Sequence, residues 1–332
     1  MIRGRRNIGI AVLKIYMLFM IVVCHFIDGD SINGMVKPFV DSGGAAVPVF
    51  FFVSFYYFNI RNYDELLNRF NRLLIPQCFF SIGSFLLYLL IPLNNKIVIY
   101  VRDKISFWDL LVQLVFGASL DPPLWFFVDM IWVTMILGIG MLIPKRNISF
   151  LIVILTVAVY LQYSGHNYRI FQELPSYMKW TCGRFAELIP ISVIGILAGR
   201  YNVLERMKDK YRITGICVSV VWLYLLKHYS FFTSVDGFYY QGLYFLVYAL
   251  AITTLFYCLP FELLPSRIQN ILYTWQKYNV GILGFHYLVY GIYTSISNTV
   301  SLIFVDCLFI YGLCLGITLV LSKIPAIRKA VS

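Results

Sequence analysis

Long apolar runs separated by short polar stretches make up nearly the whole chain. A transmembrane helix needs about 20 mostly apolar residues, with roughly 17–25 tolerated. Runs of this kind fall at 9–27, 45–60, 74–92, 124–143, 148–164, 183–199, 212–228, 241–259, 278–294 and 300–321. The pattern predicts an all-α polytopic membrane bundle of about ten transmembrane helices. The second and ninth runs are short, and the sixth contains Glu187. Turn residues close several runs, as in "PLNN" at 92–95 and "PKRN" at 144–147. One further segment, "FWDLLVQLVFG" at 107–117, carries an amphipathic pattern. It reads either as a helix lying on the outer membrane surface or as a packed or re-entrant one.

Composition narrows the class. Hydrophobic residues make up 60% of the 332 and charged residues 13%, where soluble domains carry about 25% charged residues. No polar stretch is long enough to fold as a separate soluble domain, so a single membrane domain over 1–332 is expected, with nothing soluble appended. The opening "MIRGRRN" leads into the first run without a small-residue cleavage site, so that run is expected to remain as an anchor. Seven cysteines, mostly within apolar runs, show no CxxC spacing. Neither a disulfide framework nor a metal site is expected.

The net charge of +11 raises the question of nucleic acid, and the placement of the charges answers it. With a cytoplasmic N-terminus, eighteen of the 27 Lys and Arg fall in inside segments and eight outside, and Lys14 lies within the first run. That is the positive-inside bias of a multi-pass protein in the cytoplasmic (inner) membrane with both termini inside. No nucleic-acid partner is expected. The longer outside loops, about 28–44, 93–123 and 165–182, contain aromatic, Asp and Asn residues suited to a polar substrate.

Ionisable residues inside a span are functional candidates, because placing one there costs at least about 2.5–3.5 kcal/mol. The first run holds two, Lys14 and His25, eleven residues apart. At roughly 100° per residue they return to nearly the same helix face, and at about 1.5 Å per residue they lie about 16 Å apart along it. Lys14 snorkelling to the interface and His25 hydrogen-bonded to a neighbour would account for the same residues. In "NRFNRLLIPQ", 68–77, Arg69 and Arg72 are three apart, ahead of the third run. Two guanidinium forks on one face suit a phosphate or pyrophosphate, although positive-inside bias alone also places arginines there. "DPPLWFFVDM", 121–130, sets Asp121, Trp125 and Asp129 at the outer end of the fourth run, where a Trp commonly belongs to the interfacial belt. Arg184 and Glu187 open the sixth run on one face, as an ion pair or as part of an acceptor site. Asp28 and Asp30 follow His25 closely and are candidates to orient its ring or to contact a sugar. His286 lies within the ninth run, with a structural role as plausible as a functional one.

Taken in order, these pieces resemble acyltransferase family 3, membrane-bound O-acyltransferases of cell-surface glycans. The family's first-helix pattern of a basic residue, ten positions and a His corresponds to Lys14 and His25. Its "PvFFfiSGy"-like second helix corresponds to "PVFFFVSFYY" at 48–57, and its RxxR followed by Pro to Arg69, Arg72 and Pro76. Its "LWF" corresponds to Leu124, Trp125 and Phe126, and its late His helix to "GILGFHYLVY" at 281–290. Two positions depart from the pattern: Phe55 stands where the family has Gly, and Lys14 where Arg is commoner.

The resemblance implies transfer of an acyl group, usually acetyl from cytoplasmic acetyl-CoA, to a hydroxyl of a surface polysaccharide or its lipid-linked precursor. It implies His25 as the catalytic group, acting as a base or carrying the acyl group, and Lys14, Arg69 and Arg72 as donor-binding cations. Asp28, Asp30, Trp125, Arg184 and Glu187 are then acceptor-side candidates, with His286 as a further possibility and no metal. A transporter or flippase for lipid-linked sugars competes with this reading. It would be marked by inverted repeats and paired Gly/Pro-broken helices, which the chain does not display.

Overall fold

The structure is a computed structural model that describes residues 7–26, 37–90, 106–117, 124–143, 147–164, 174–228, 242–296 and 303–332. Among the described residues all regular structure is helical. The helices are α1 (Ile8–Phe26), α2 (Lys37–Tyr56), α3 (Tyr63–Leu90), α4 (Phe107–Phe116), α5 (Trp125–Leu142), α6 (Asn147–Ser164), α7 (Ser176–Arg200), α8 (Val203–Lys210), α9 (Arg212–His228), α10 (Gly242–Cys258), α11 (Ser266–Trp275), α12 (Asn279–Ile296), α13 (Ile303–Leu321) and α14 (Pro325–Val331). Each of the ten apolar runs has a helix. Five described stretches are long and apolar enough to cross a bilayer: Ile8–His25, Tyr63–Leu87, Trp125–Leu142, Thr181–Arg200 and Tyr244–Leu263. Gly43–Tyr56, Asn147–Leu161 and Val305–Leu321 are apolar but shorter.

Two structural units divide the chain, one of residues 1–58 and 191–279, the other of 59–190 and 280–332. In the first, α1 packs on α2, α10 and α11, and α2 packs on α10. Gly43 of α2 lies against Cys24 and the Met20 carbonyl of α1, and Gly9 of α1 lies against the Phe256 carbonyl of α10. The residue-191–200 end of α7 crosses α2 through Gly195 and Gly199. This is the small-xxx-small spacing that lets membrane helices approach backbone to backbone. Phe51, Phe52 and Phe55 of α2 are fully buried. The unusual Phe55 is accommodated here, since a Cβ on Gly195 would stand 3.2 Å from the Phe55 Cβ. Bulk on one helix is matched by its absence on the other.

In the second unit α3 packs on α4, α5 and α14, and α5 packs on α6. Phe80 stacks on Phe127 at 6.3 Å and meets Phe285 edge-on at 5.1 Å. Gly284 makes room for the Phe80 ring. Gln77 is buried within α3 and donates its side-chain amide to the Gln113 carbonyl at 2.9 Å. In lipid such a polar group has no water to turn to, so its partner has to come from the protein.

One expectation needs correction, and one alternative left open by the sequence is decided. The third run begins at 74, but α3 begins eleven residues earlier at Tyr63. The cause is local: Asn62 Oδ1 accepts the Glu65 N–H at 2.9 Å and Glu65 Oε2 accepts the Arg61 N–H at 2.8 Å, a near capping box that starts the helix in polar sequence. Arg69 and Arg72 therefore lie on α3 itself, not ahead of it. The alternative concerns α4, which has the caps of a well-defined helix. Ser106 and Asp109 form a capping box and Gly117 closes the helix at φ 65°. Its Leu110, Val112 and Gln113 are buried, yet the opposite face is Phe107, Trp108, Leu111 and Val115, all exposed. A helix resting on the membrane surface needs a strongly polar outer face, and α4 lacks one. It is a packed helix, apolar toward its neighbours and toward its surroundings.

Candidate functional site

Helix α1 runs unbroken through Lys14 and His25, so the eleven-residue spacing does place both on one stripe of the helix. Lys14 is half-buried mid-helix, and His25 stands exposed in the last turn. A basic side chain there meets the negative end of the helix dipole. Around this end α2 comes close, with Gly43 against Cys24. Asp28 and Asp30 lie outside the described residues, as does Asp121.

On α3, Arg69 is half-buried and Arg72 exposed. Their three-residue separation is now a helical one, so the two guanidinium groups share a face. Pro76 continues the same helix one turn later.

Arg184 is held from several sides. Its Nε donates to Asp129 Oδ2 at 2.6 Å and its Nη2 to Asp129 Oδ1 at 3.2 Å, a bidentate pair. Nη2 also reaches the Phe116 carbonyl at 3.1 Å and Thr181 Oγ1 at 3.3 Å. The guanidinium carbon lies 4.9 Å over the Trp125 ring. Asp129 is 0% and Arg184 7% exposed. A charge pair this deep is tolerated only when geometry and further hydrogen bonds offset desolvation, and both conditions hold. The spacing of Arg184 and Glu187 suggests an ion pair between them, but the bidentate partner is Asp129, on α5. Trp125 and Asp129 are four apart and share a face of α5, so one ring and one carboxylate receive the guanidinium together. The cluster fixes the end of α4, the start of α5 and the start of α7 to one another.

His286 is fully buried on α12. Its Nδ1–H donates to the Leu283 carbonyl at 2.7 Å.

The first unit also contains a polar cluster that the sequence reading did not single out. Glu205 of α8 accepts the Tyr56 hydroxyl of α2, and the Tyr257 ring of α10 packs edge-on against the Tyr56 ring at 6.4 Å. Glu205 sits in a stretch dense with cations, which hides it as one more charge in a polar connection. The Gly195–Gly199 spacing, by contrast, was readable as a helix-contact signal.

Among the described residues no three His, Cys, Asp or Glu side chains converge as a metal site. Among the described residues the structure is all-helical, with five stretches long and apolar enough to cross a membrane, and the ionisable residues within these stretches include Lys14 and His25 on α1, Arg69 and Arg72 on α3, and the pair Asp129–Arg184. A sequence model for the acyltransferase domain of acyltransferase family 3 matches residues 7–323, and the chain belongs to that family. It is a membrane acyltransferase. No curated protein and no solved structure matches it.

Proposed function

We propose that the protein transfers an acetyl group from cytoplasmic acetyl-CoA to a hydroxyl of a surface polysaccharide or its lipid-linked precursor. It does so from the cytoplasmic membrane, which it crosses ten times with both termini inside. The observation that carries this reading is the pair Lys14 and His25 on one stripe of one continuous helix, in a chain of this family. The donor is made on one side of the membrane and the glycan lies on the other. A cation about 16 Å from an imidazole along a single helix offers an anchor for the donor's phosphates and a base for the acceptor.

Each residue has a task of its own. Arg69 and Arg72 present two guanidinium forks for the CoA phosphates, the bidentate geometry in which arginine exceeds lysine, and Lys14 adds a point charge. His25 is the general base, imidazole being the side chain whose ring nitrogen can take up and return a proton during the reaction. Its ring nitrogen takes the proton of the acceptor hydroxyl as that oxygen attacks the thioester carbonyl. The C–S bond then breaks, and the imidazolium returns the proton to the departing CoA thiolate. Asp28, Asp30, Trp125, Arg184 and Glu187 serve the acceptor side. Arg184 acts there by holding the Trp125 ring, since its own charge is taken up by Asp129. No metal enters the reaction.

The test is acetyl transfer from labelled acetyl-CoA in membranes carrying wild type or His25→Ala at matched expression. Labelled glycan with wild type and a loss of about 10²–10⁴-fold with the variant is the expected result. A variant that still transfers at near wild-type rate overturns the role of His25. If wild type does not use acetyl-CoA while glycan export depends on the protein, a sugar-lipid transporter replaces the enzyme.

A further inference from the structure

In the first unit, α8 and the start of α9 are joined to the short turn Phe261–Leu263 by the Glu262 carboxylate, and α11 is joined to that turn through backbone carbonyls. Glu262 Oε2 accepts from Lys208 Nζ at 3.3 Å, and Glu262 Oε1 pairs with Arg212 Nη2 at 2.6 Å. Gln269 of α11 donates to the Glu262 and Leu264 carbonyls at 3.1 and 2.8 Å. These elements therefore form one continuous layer.

Its charge is lopsided. Residues 200–212 and 262–277 contain seven Lys and Arg against Glu205, Asp209 and Glu262, a net of +4. Glu262 is occupied by Lys208 and Arg212, and Glu205 by the Tyr56 phenol. Arg206, Lys210, Arg267 and Lys277 stand exposed. Interleaved with them are exposed apolar and aromatic side chains: Tyr201, Tyr211, Leu263 at 80%, Ile268 and Ile271. Helix α11 has no buried residue, and its Ile268 and Ile271, three apart, share a face beside Arg267. Bulk water would disfavour that exposed apolar face. A soluble polyanion would match the cations but leave Leu263, Ile268 and Ile271 unused. A lipid headgroup layer matches both, with apolar side chains entering the acyl boundary and cations meeting phosphate.

We propose that α8, the 261–263 turn and α11 form a docking face for anionic phospholipid headgroups, bound in preference to zwitterionic ones. The face is independent of the acyl-transfer chemistry and uses none of the residues assigned to it.

The experiment uses the full chain purified in neutral detergent and titrated with fluorescent phosphatidylglycerol or phosphatidylcholine, read by energy transfer from tryptophan. A cation at an anionic surface contributes about fivefold. The Arg206→Gln/Lys210→Gln/Arg267→Gln/Lys277→Gln variant is expected to lose at least about tenfold in apparent affinity for phosphatidylglycerol, with phosphatidylcholine binding unchanged. Lys210→Gln and Lys277→Gln alone, each losing a few-fold, carry the test if the quadruple variant does not fold. Wild-type affinity in both the quadruple and the single variants overturns the proposal. So does displacement of the lipid by inorganic pyrophosphate at submillimolar concentration, which would make the face a soluble-phosphate site.

Discussion

The buried Asp129–Arg184 pair lends itself to a quantitative perturbation. Asp129→Ala removes a carboxylate that accepts two hydrogen bonds from Arg184 and leaves a guanidinium only 7% exposed. Hydrogen bonds to charged partners contribute about 1.5–3 kcal/mol each, and breaking a buried pair by removing one member costs about 3–5 kcal/mol. The remaining acceptors, the Phe116 carbonyl and Thr181 Oγ1, are neutral and do not replace the lost charge. We expect Asp129→Ala to destabilise the protein by about 3–5 kcal/mol. Arg184→Met should cost a similar amount, with part of it from the lost stacking on Trp125, about 0.5–2 kcal/mol. The double variant Asp129→Ala/Arg184→Met leaves no orphaned charge and should be less destabilised than the sum of the two single changes. The assay is unfolding of the purified protein in mixed detergent micelles, run as a double-mutant cycle. Neutral hydrogen bonds between membrane helices average about 0.6 kcal/mol, so a coupling above about 2 kcal/mol marks a true ion pair. If Asp129→Ala costs under about 1 kcal/mol, or the cycle is additive within about 0.5 kcal/mol, the cluster does not hold these helices.

Two further predictions concern the helix crossing and the donor. A Cβ at Gly199 would run into the Tyr56 carbonyl, whereas one at Gly83 meets nothing within 4 Å. Gly199→Val should therefore destabilise by about 1–3 kcal/mol or more, and Gly83→Ala should be neutral or stabilising by up to about 1 kcal/mol; equal effects in the same micelle assay would refute the close crossing. Arg69→Gln and Arg72→Gln should each raise KM for acetyl-CoA by about 10–100-fold, from the charge-assisted bonds lost, with kcat little changed; an unaltered KM in both removes them from donor binding.

Much of the helix pattern was legible because lipid imposes one rule everywhere: a span must be apolar for about 20 residues and helical throughout. Each of the ten runs has a helix among the described residues, and five of those stretches are long and apolar enough to cross a bilayer. The start of α3 was not legible from hydropathy, because Asn62 and Glu65 begin the helix through hydrogen bonds in polar sequence. Similarly, α4 has the alternation of an amphipathic helix only if Phe107 and Trp108 are counted with the buried side, and they are exposed. At the site, helical spacing correctly predicted that Lys14 and His25 share a stripe, since both lie on one element. It suggested the wrong partner for Arg184, because the choice between Glu187, three residues away, and Asp129, 55 residues away, is made by tertiary packing. Phe55 looked like a departure with consequences for packing, and its compensation was present in the sequence as Gly195 and Gly199.

The joining of α2 to the far end of α7 bears on how the chain is made. Tyr56 and Glu205 are 149 residues apart, and the Gly195–Gly199 crossing closes over a similar separation. At a synthesis rate of about 5–20 residues per second, α2 leaves the ribosome roughly 7–30 s before its partner exists. Through that interval α2 lacks the Gly195–Gly199 face it packs on, and the Tyr56 hydroxyl waits for its carboxylate. Biogenesis of this protein is therefore late-closing, and a slowdown of translation before α7 would lengthen the life of an unfinished first unit. Mutations at Gly199 should accordingly show as early degradation of newly made chains as well as weaker mature protein.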